Sequence, residues 1–196
     1  MNKLYLLFVF VISASFLYGQ GDNWISLFNG ENLENWTIRG KAEWKVEDGK
    51  IVGSGANGHL YAVPEVEDVE IKGEFRIVDL GGGANGGLYF RCYPPEDNPD
   101  GYPQGYEAQI CNHQDAFTGW LWKPGTPTGE AKELLTKDGE WFSMRVRAKG
   151  AKIKIWINGK RVTKHKDTEY KQGLIALQCH NGGMRMEARN LYYREL

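Results

Sequence analysis

From residue 43 onward the chain keeps a two-residue rhythm, which restricts it to antiparallel sheet. Across residues 69–77 the apolar side chains fall at Val69, Ile71, Phe75 and Ile77, with Glu70, Lys72, Glu74 and Arg76 between them. Period two is the pattern of a strand with one buried face. Glu43–Glu47 alternates too, and Asp48-Gly49 turns it into Lys50-Ile51-Val52. Asp-Gly and Asn-Gly accept the positive φ angles of tight hairpins. Asn158-Gly159 marks another such turn, between Lys152–Ile157 and Lys160-Arg161-Val162. Residues 141–148 pair with Lys152–Ile157 across Lys149-Gly150-Ala151, and residues 173–180 and 184–193 read as the last two strands. No window of helical length carries a 3.6-residue stripe; the best candidate, 129–135, amounts to one or two turns. The expectation is an all-β jelly-roll sandwich of two antiparallel sheets. Residues 93–104 and 123–129 are turn-rich and read as loops, either functional or simple connections.

The N-terminus carries a different signal. Lys3 supplies one positive charge, residues 4–12 are unbroken apolar, and Ser13-Ala14-Ser15 and Gly19-Gln20 follow. This is the pattern of a secretory signal peptide over residues 1–20. The apolar run is well short of the ~20 residues a spanning helix needs. With no cysteine in 1–20, a lipid anchor at a cleavage-site cysteine is not indicated. The expectation is an exported protein, periplasmic or extracellular, with one domain over 21–196. That leaves 196 − 20 = 176 residues, enough for a two-layer core without staples. Cys92, Cys111 and Cys179 lie in apolar segments and form no disulfide framework, although one pair is compatible with an oxidising compartment. Net charge is −1 with both signs interspersed, which suggests neither a nucleic-acid partner nor a membrane surface. Oligomeric state is not legible.

Alternation also shows what the polar faces display. Tyr89 and Arg91 lie opposite Leu88, Phe90 and Cys92; Glu107 and Gln109 lie opposite Ala108 and Ile110; Gln178 and His180 lie opposite Leu177 and Cys179. If these strands share a sheet, one face gathers Tyr89, Arg91, Glu107, Gln109, Gln178 and His180. An ordinary solvated face would carry Lys, Glu, Thr and Ser; this one is Gln, His, Arg and Tyr with one carboxylate. Paired donors and acceptors suit sugar hydroxyls, and aromatic rings suit sugar faces. His113 follows the Glu107 strand and either reaches the same rim or is an ordinary exposed loop histidine, the commoner case. Trp120 or Trp122 is positioned to line a groove, though core burial is the commoner fate of such residues. His59 and His165 stand beside turn or charged residues and read as solvated. Ordinary glycosidases need two carboxylates flanking the bond, and this face offers only Glu107.

An ordered series of pieces resembles the 3-keto-disaccharide hydrolase domain family, a concanavalin A-like jelly roll. They are Leu27-Phe28-Asn29-Gly30-Glu31-Asn32-Leu33 with Trp36; Trp44, Val46 and Asp48-Gly49; Glu74-Phe75-Arg76; and Asn85-Gly86-Gly87-Leu88-Tyr89-Phe90-Arg91. Gly105-Tyr106-Glu107-Ala108-Gln109-Ile110, Thr118-Gly119, Trp156-Ile157-Asn158-Gly159, Gly173-Leu174-Ile175-Ala176-Leu177-Gln178 with His180, and Arg189-Asn190-Leu191 complete it. The resemblance implies an exported enzyme cleaving glycosides whose sugar carries a C3 ketone. The ketone acidifies the C2 hydrogen, so a base can remove it and the C1 substituent leaves by elimination, after which water adds back. His180 or Glu107 is then the base, Arg91 the enolate stabiliser, and Gln109 and Gln178 position hydroxyls, with Tyr89, Asn85, His113 and Trp120 as further substrate contacts. No cofactor is required on this route; a divalent metal held by Glu107, His180 and Gln109 is the alternative. The competing expectations are a non-catalytic carbohydrate-binding module and an adhesion domain using its loops.

Overall fold

A computed structural model of the chain describes residues 23–196, so the signal-peptide reading of 1–20 falls outside the described residues. Fifteen strands follow one another: β1 (Ile25–Ser26), β2 (Trp36–Gly40), β3 (Glu43–Glu47), β4 (Lys50–Ser54), β5 (Gly58–Val66), β6 (Val69–Asp79), β7 (Asn85–Tyr93) and β8 (Gln104–Cys111). The rest are β9 (Leu121–Lys123), β10 (Thr126–Gly129), β11 (Phe142–Lys149), β12 (Lys152–Ile157), β13 (Lys160–Lys166), β14 (Gly173–Cys179) and β15 (Met184–Glu195). They form two antiparallel sheets, the expected jelly roll. One runs β13-β12-β11-β6-β15-β4-β3 with β1 beside β15; the other runs β10-β9-β8-β7-β14-β5-β2.

The turn residues behave as their chemistry requires. Asp48 and Gly49 (φ 46° and 72°) and Asn158 and Gly159 (φ 50° and 78°) are left-handed at both positions, as two-residue hairpins with native strand twist demand. The inward residues of both sheets interdigitate in one core: Ile71, Phe75, Val146 and Ile155 from the first, Leu60, Leu88, Phe90, Ile110 and Leu177 from the second. The three cysteines are buried free thiols.

The outward faces differ. On the eight-stranded sheet, Glu70 is fully buried and accepts from Arg145, Arg147 and Arg194 at 3.1, 3.5 and 2.7 Å. Glu187, equally buried, accepts from Arg76 and Arg185. Trp141 and Trp156 lie under Arg189 and Arg145 at 4.1 Å each. On the seven-stranded sheet the centre is buried on both sides, because residues 93–104 and the β9–β10 hairpin rise over it.

One expectation of local structure is corrected, and the one short helix candidate is not helical. Residues 123–129 are not a plain loop: β9 and β10 pair around a turn at Lys123-Pro124-Gly125-Thr126. Residues 129–135 form no helix; β10 ends at Gly129 and the chain runs on without regular structure through a bend at Lys132, with Ala131 in the core and Lys132 N–H donating to the Val162 carbonyl.

Candidate active site

The register of the seven-stranded sheet brings the polar pairs together. Tyr89 stands opposite Glu107, Gly87 opposite Gln109 and Gln178, and Gln178 opposite His59. Tyr89, Glu107, Gln109 and Gln178, with Asn85 and His180, floor a cleft of ≈ 290 Å³, and His59 lies behind Gln178. Tyr102 and Pro103 form one wall; Trp122 and the Lys123-Pro124-Gly125 turn form the other. Glu107 is the one acidic side chain lining it among the described residues.

Glu107 can lie flat on the sheet because its neighbour has no side chain. A Cβ on Gly87 would sit 2.1 Å from Glu107 Oε1. The carboxyl is buried, and desolvation pushes it up to about 8, against the hydrogen bond from Tyr89 that pulls it down. Its Oε1 has no hydrogen-bond partner among the described residues. Behind it runs a chain of bonds. Gln178 Nε2 donates to the Tyr89 hydroxyl at 3.1 Å and meets His59 Nε2 at 3.2 Å. An amide NH2 only donates, so His59 Nε2 accepts and its proton belongs on Nδ1. Burial, then the nearby His180, lowers His59 to about 4, so it is neutral at pH 7. His180 is half-buried and lowered by desolvation, hence also neutral at pH 7. Its backbone N–H donates to the Asn85 carbonyl, and its carbonyl accepts from Asn57 Nδ2. The Tyr102 ring stands between the imidazoles, 5.6 Å from His180 and 5.9 Å from His59.

Glu107, Gln109, Gln178, Tyr89, Asn85 and His180 therefore share one cleft, and three other candidates do not. Arg91 was expected beside Tyr89 on the face of the sheet. Instead it is the extra residue of a β-bulge, with φ 49° and register shifts toward both β8 and β14. The bulge sends its guanidinium away from the cleft, where it donates to the Glu67 and Gly150 carbonyls and pairs with Asp68 at 3.0 Å. Cys92 is turned over by the same bulge and joins Tyr61, Tyr89 and Ala176 rather than Leu88 and Phe90. His113 is exposed outside the cleft, its Nδ1 3.4 Å from Cys111 Sγ. Trp120 packs on Phe117 at the edge of the core. Gly119, at φ 95°, reverses the chain before β9, so the tryptophan that faces Glu107 is Trp122.

His59, expected in solvent, is fully buried. It sits on β5, whose first residues are buried on both faces and so show no alternation. Tyr102 arrives from a loop and has no periodic signal. Among the described residues no three His, Cys, Asp or Glu side chains form a group able to hold a metal ion. Glu107, His180 and Gln109 supply one raised carboxyl, one imidazole and one amide, a poor set for a divalent ion.

Fold and site define a jelly-roll protein with a single buried carboxyl and an imidazole in an aromatic-walled cleft. The chain belongs to the 3-keto-alpha-glucoside-1,2-lyase-like domain family, whose pattern matches residues 23–194. Similar solved structures include two Parabacteroides distasonis proteins provisionally described as glycosyl hydrolases. One has TM-score 0.72 and 21% identity over 88% of this chain and 94% of its own. The other has TM-score 0.70 and 24% identity over 89% and 100%. A carbohydrate-binding module from Bacillus subtilis has TM-score 0.63 and 18% identity over 82% and 96%. At these identities the likeness is one of fold. No curated protein matches the chain by sequence.

Proposed function

We propose that this protein cleaves glycosides whose sugar carries a ketone at C3, by elimination and rehydration. The observation that carries the reading is the pairing of one carboxyl with one imidazole in the cleft, their environments pushing them in opposite directions. Groups separated in this way divide acid and base roles between them. Neutral His180 takes the C2 proton, and the electrons move onto the C3 oxygen. As they return, the C1–O bond breaks and protonated Glu107 gives its proton to the departing oxygen. The Glu107 carboxylate then takes a proton from water, whose oxygen adds to C1, and His180 returns its proton to C2. Tyr89, held by Gln178 and His59, stabilises the carboxylate between these steps. The Gln109 side chain, without a partner among the described residues, supplies the hydrogen bond to the enolate oxygen in place of Arg91. Trp122 and Tyr102 offer ring faces to the sugar.

The test is aglycone release from a 3-keto-glucoside. Glu107→Gln and His180→Ala are each expected to slow it at least 100-fold, and wild-type rates in both would sink the assignment. The rate should be bell-shaped in pH, with an acid limb below the usual histidine value and an alkaline limb near 8, since base and acid must both be neutral. A non-catalytic sugar-binding module is the second reading, favoured by the aromatic walls. It predicts glycan binding with no release, and no need for a protonated buried carboxyl.

A further inference from the structure

On the far side of the sandwich, strand register builds a grid of cations. Lys149, Lys152 and Lys166 stand directly opposite one another on β11, β12 and β13; Arg147, Lys154 and Lys164 form the next row; Arg145, Trp156 and Arg161 form the third. On β11 and β12 these side chains point outward, since the residues between them are core, and on β13 Arg161, Lys164 and Lys166 are exposed. Within a row the spacing is about 4.8 Å, and between rows about 6.8 Å. Arg145 and Arg147 pair with Glu70, the one buried acid they share with Arg194, so that cluster keeps an excess of positive charge. The side chains of the other six cations have no partner among the described residues. The other acid lining this face, Asp68, is held by Arg91. Most of the grid, with Trp156 at its margin, lines a shallow depression of ≈ 750 Å³.

Like charges directly opposite on neighbouring strands destabilise a sheet. Here they do so in consecutive rows, in a chain whose overall charge is −1. Edge protection explains part of the pattern, because β13 is an edge strand and lysines there discourage strand addition. It does not explain Arg147, Lys149, Lys152 and Lys154, which lie on strands paired on both sides. A repeating anion laid over the face would neutralise both rows at once, and the half-exposed Trp156 indole gives a ring surface beside them.

We infer that this face is a second binding site, for an acidic polysaccharide bearing carboxylate or sulfate groups, distinct from the cleft. The choice of a glycan among polyanions rests on the sugar chemistry proposed above. The test uses polymers without a 3-keto sugar, so binding and cleavage fail independently. Full-length mature protein is titrated with dextran sulfate and with alginate, with neutral dextran as control and double-stranded DNA as competitor. Binding to at least one acidic polymer and not to neutral dextran is expected; the preferred polymer identifies sulfate or carboxylate. The triple variant Lys152→Glu, Lys154→Glu, Lys166→Glu should weaken that binding at least tenfold while leaving 3-keto-glucoside cleavage and folding unchanged. Trp156→Ala should weaken polysaccharide binding at least threefold and leave DNA binding as it was. As a check that does not depend on any ligand, Lys154→Glu alone should raise the melting temperature by relieving its row. Absence of binding, a triple variant that binds like wild type, or DNA bound as tightly as the polymer with Trp156→Ala silent would each overturn the inference.

Discussion

At Arg91 a single left-handed residue separates what alternation suggests from what the chain does. The bulge needs close approach on both flanks: a Cβ at Gly105 would lie 2.3 Å from Cys92 Cβ, and one at Gly173 2.5 Å from Cys92 N. Neither constraint is visible as periodicity, so Arg91 reads as a site residue and is a buried structural cation. Arg91→Ala is accordingly expected to cost about 2 kcal/mol in chemical denaturation, since it leaves the Glu67 and Gly150 carbonyls without their donor and leaves Asp68 with only the Gly150 N–H. Cleavage per folded molecule should be unchanged. Gly87 is the opposite case. Gly87→Ala forces the Glu107 carboxyl off the sheet, so cleavage should fall at least tenfold with a melting temperature within a few degrees of wild type. An unaffected rate would mean the carboxyl has room to move without consequence.

Among the elements, legibility followed the burial of each strand. β6, β11 and β12 each bury one face, and their alternation and turns read directly from the sequence. β5 does not alternate over Gly58–His59–Leu60–Tyr61, which is why the histidine behind the cleft looked like a surface residue. Residues 93–104 gave no periodic signal, yet they carry the Tyr102 wall. That segment is fixed from below: Gly40 N–H donates to Asp100 Oδ1 at 3.0 Å, and Gly101 N–H to the Asn98 carbonyl at 2.8 Å. Asp100→Ala should loosen the wall without touching the acid or base. Its expected signature is a several-fold rise in KM with kcat within about twofold of wild type; a fall in kcat alone would contradict a binding role for the wall.

For the whole molecule, two of the buried titrating groups, Glu107 and His59, give opposite dependences of stability on pH. Folded Glu107 keeps its proton up to about 8, whereas the unfolded chain releases it near 4.5, so stability falls as pH rises through that interval. Folded His59 releases its proton at about 4 and the unfolded chain near 6.5, so stability falls as pH drops through that interval. Between 6.5 and 8 only the Glu107 effect remains. Wild type should therefore lose about 5 °C of melting temperature relative to Glu107→Gln between pH 6.5 and 8.5, as scanning calorimetry would show. Parallel curves would place the carboxyl in water.

Stacked sheets also have a directional consequence. What one sheet displays outward points away from what the other displays. A molecule resting by its lysine grid on a charged polymer holds its cleft toward the surrounding fluid. The polymer under the grid is then a mooring, and the glycosides that reach Glu107 and His180 arrive by diffusion from the open side.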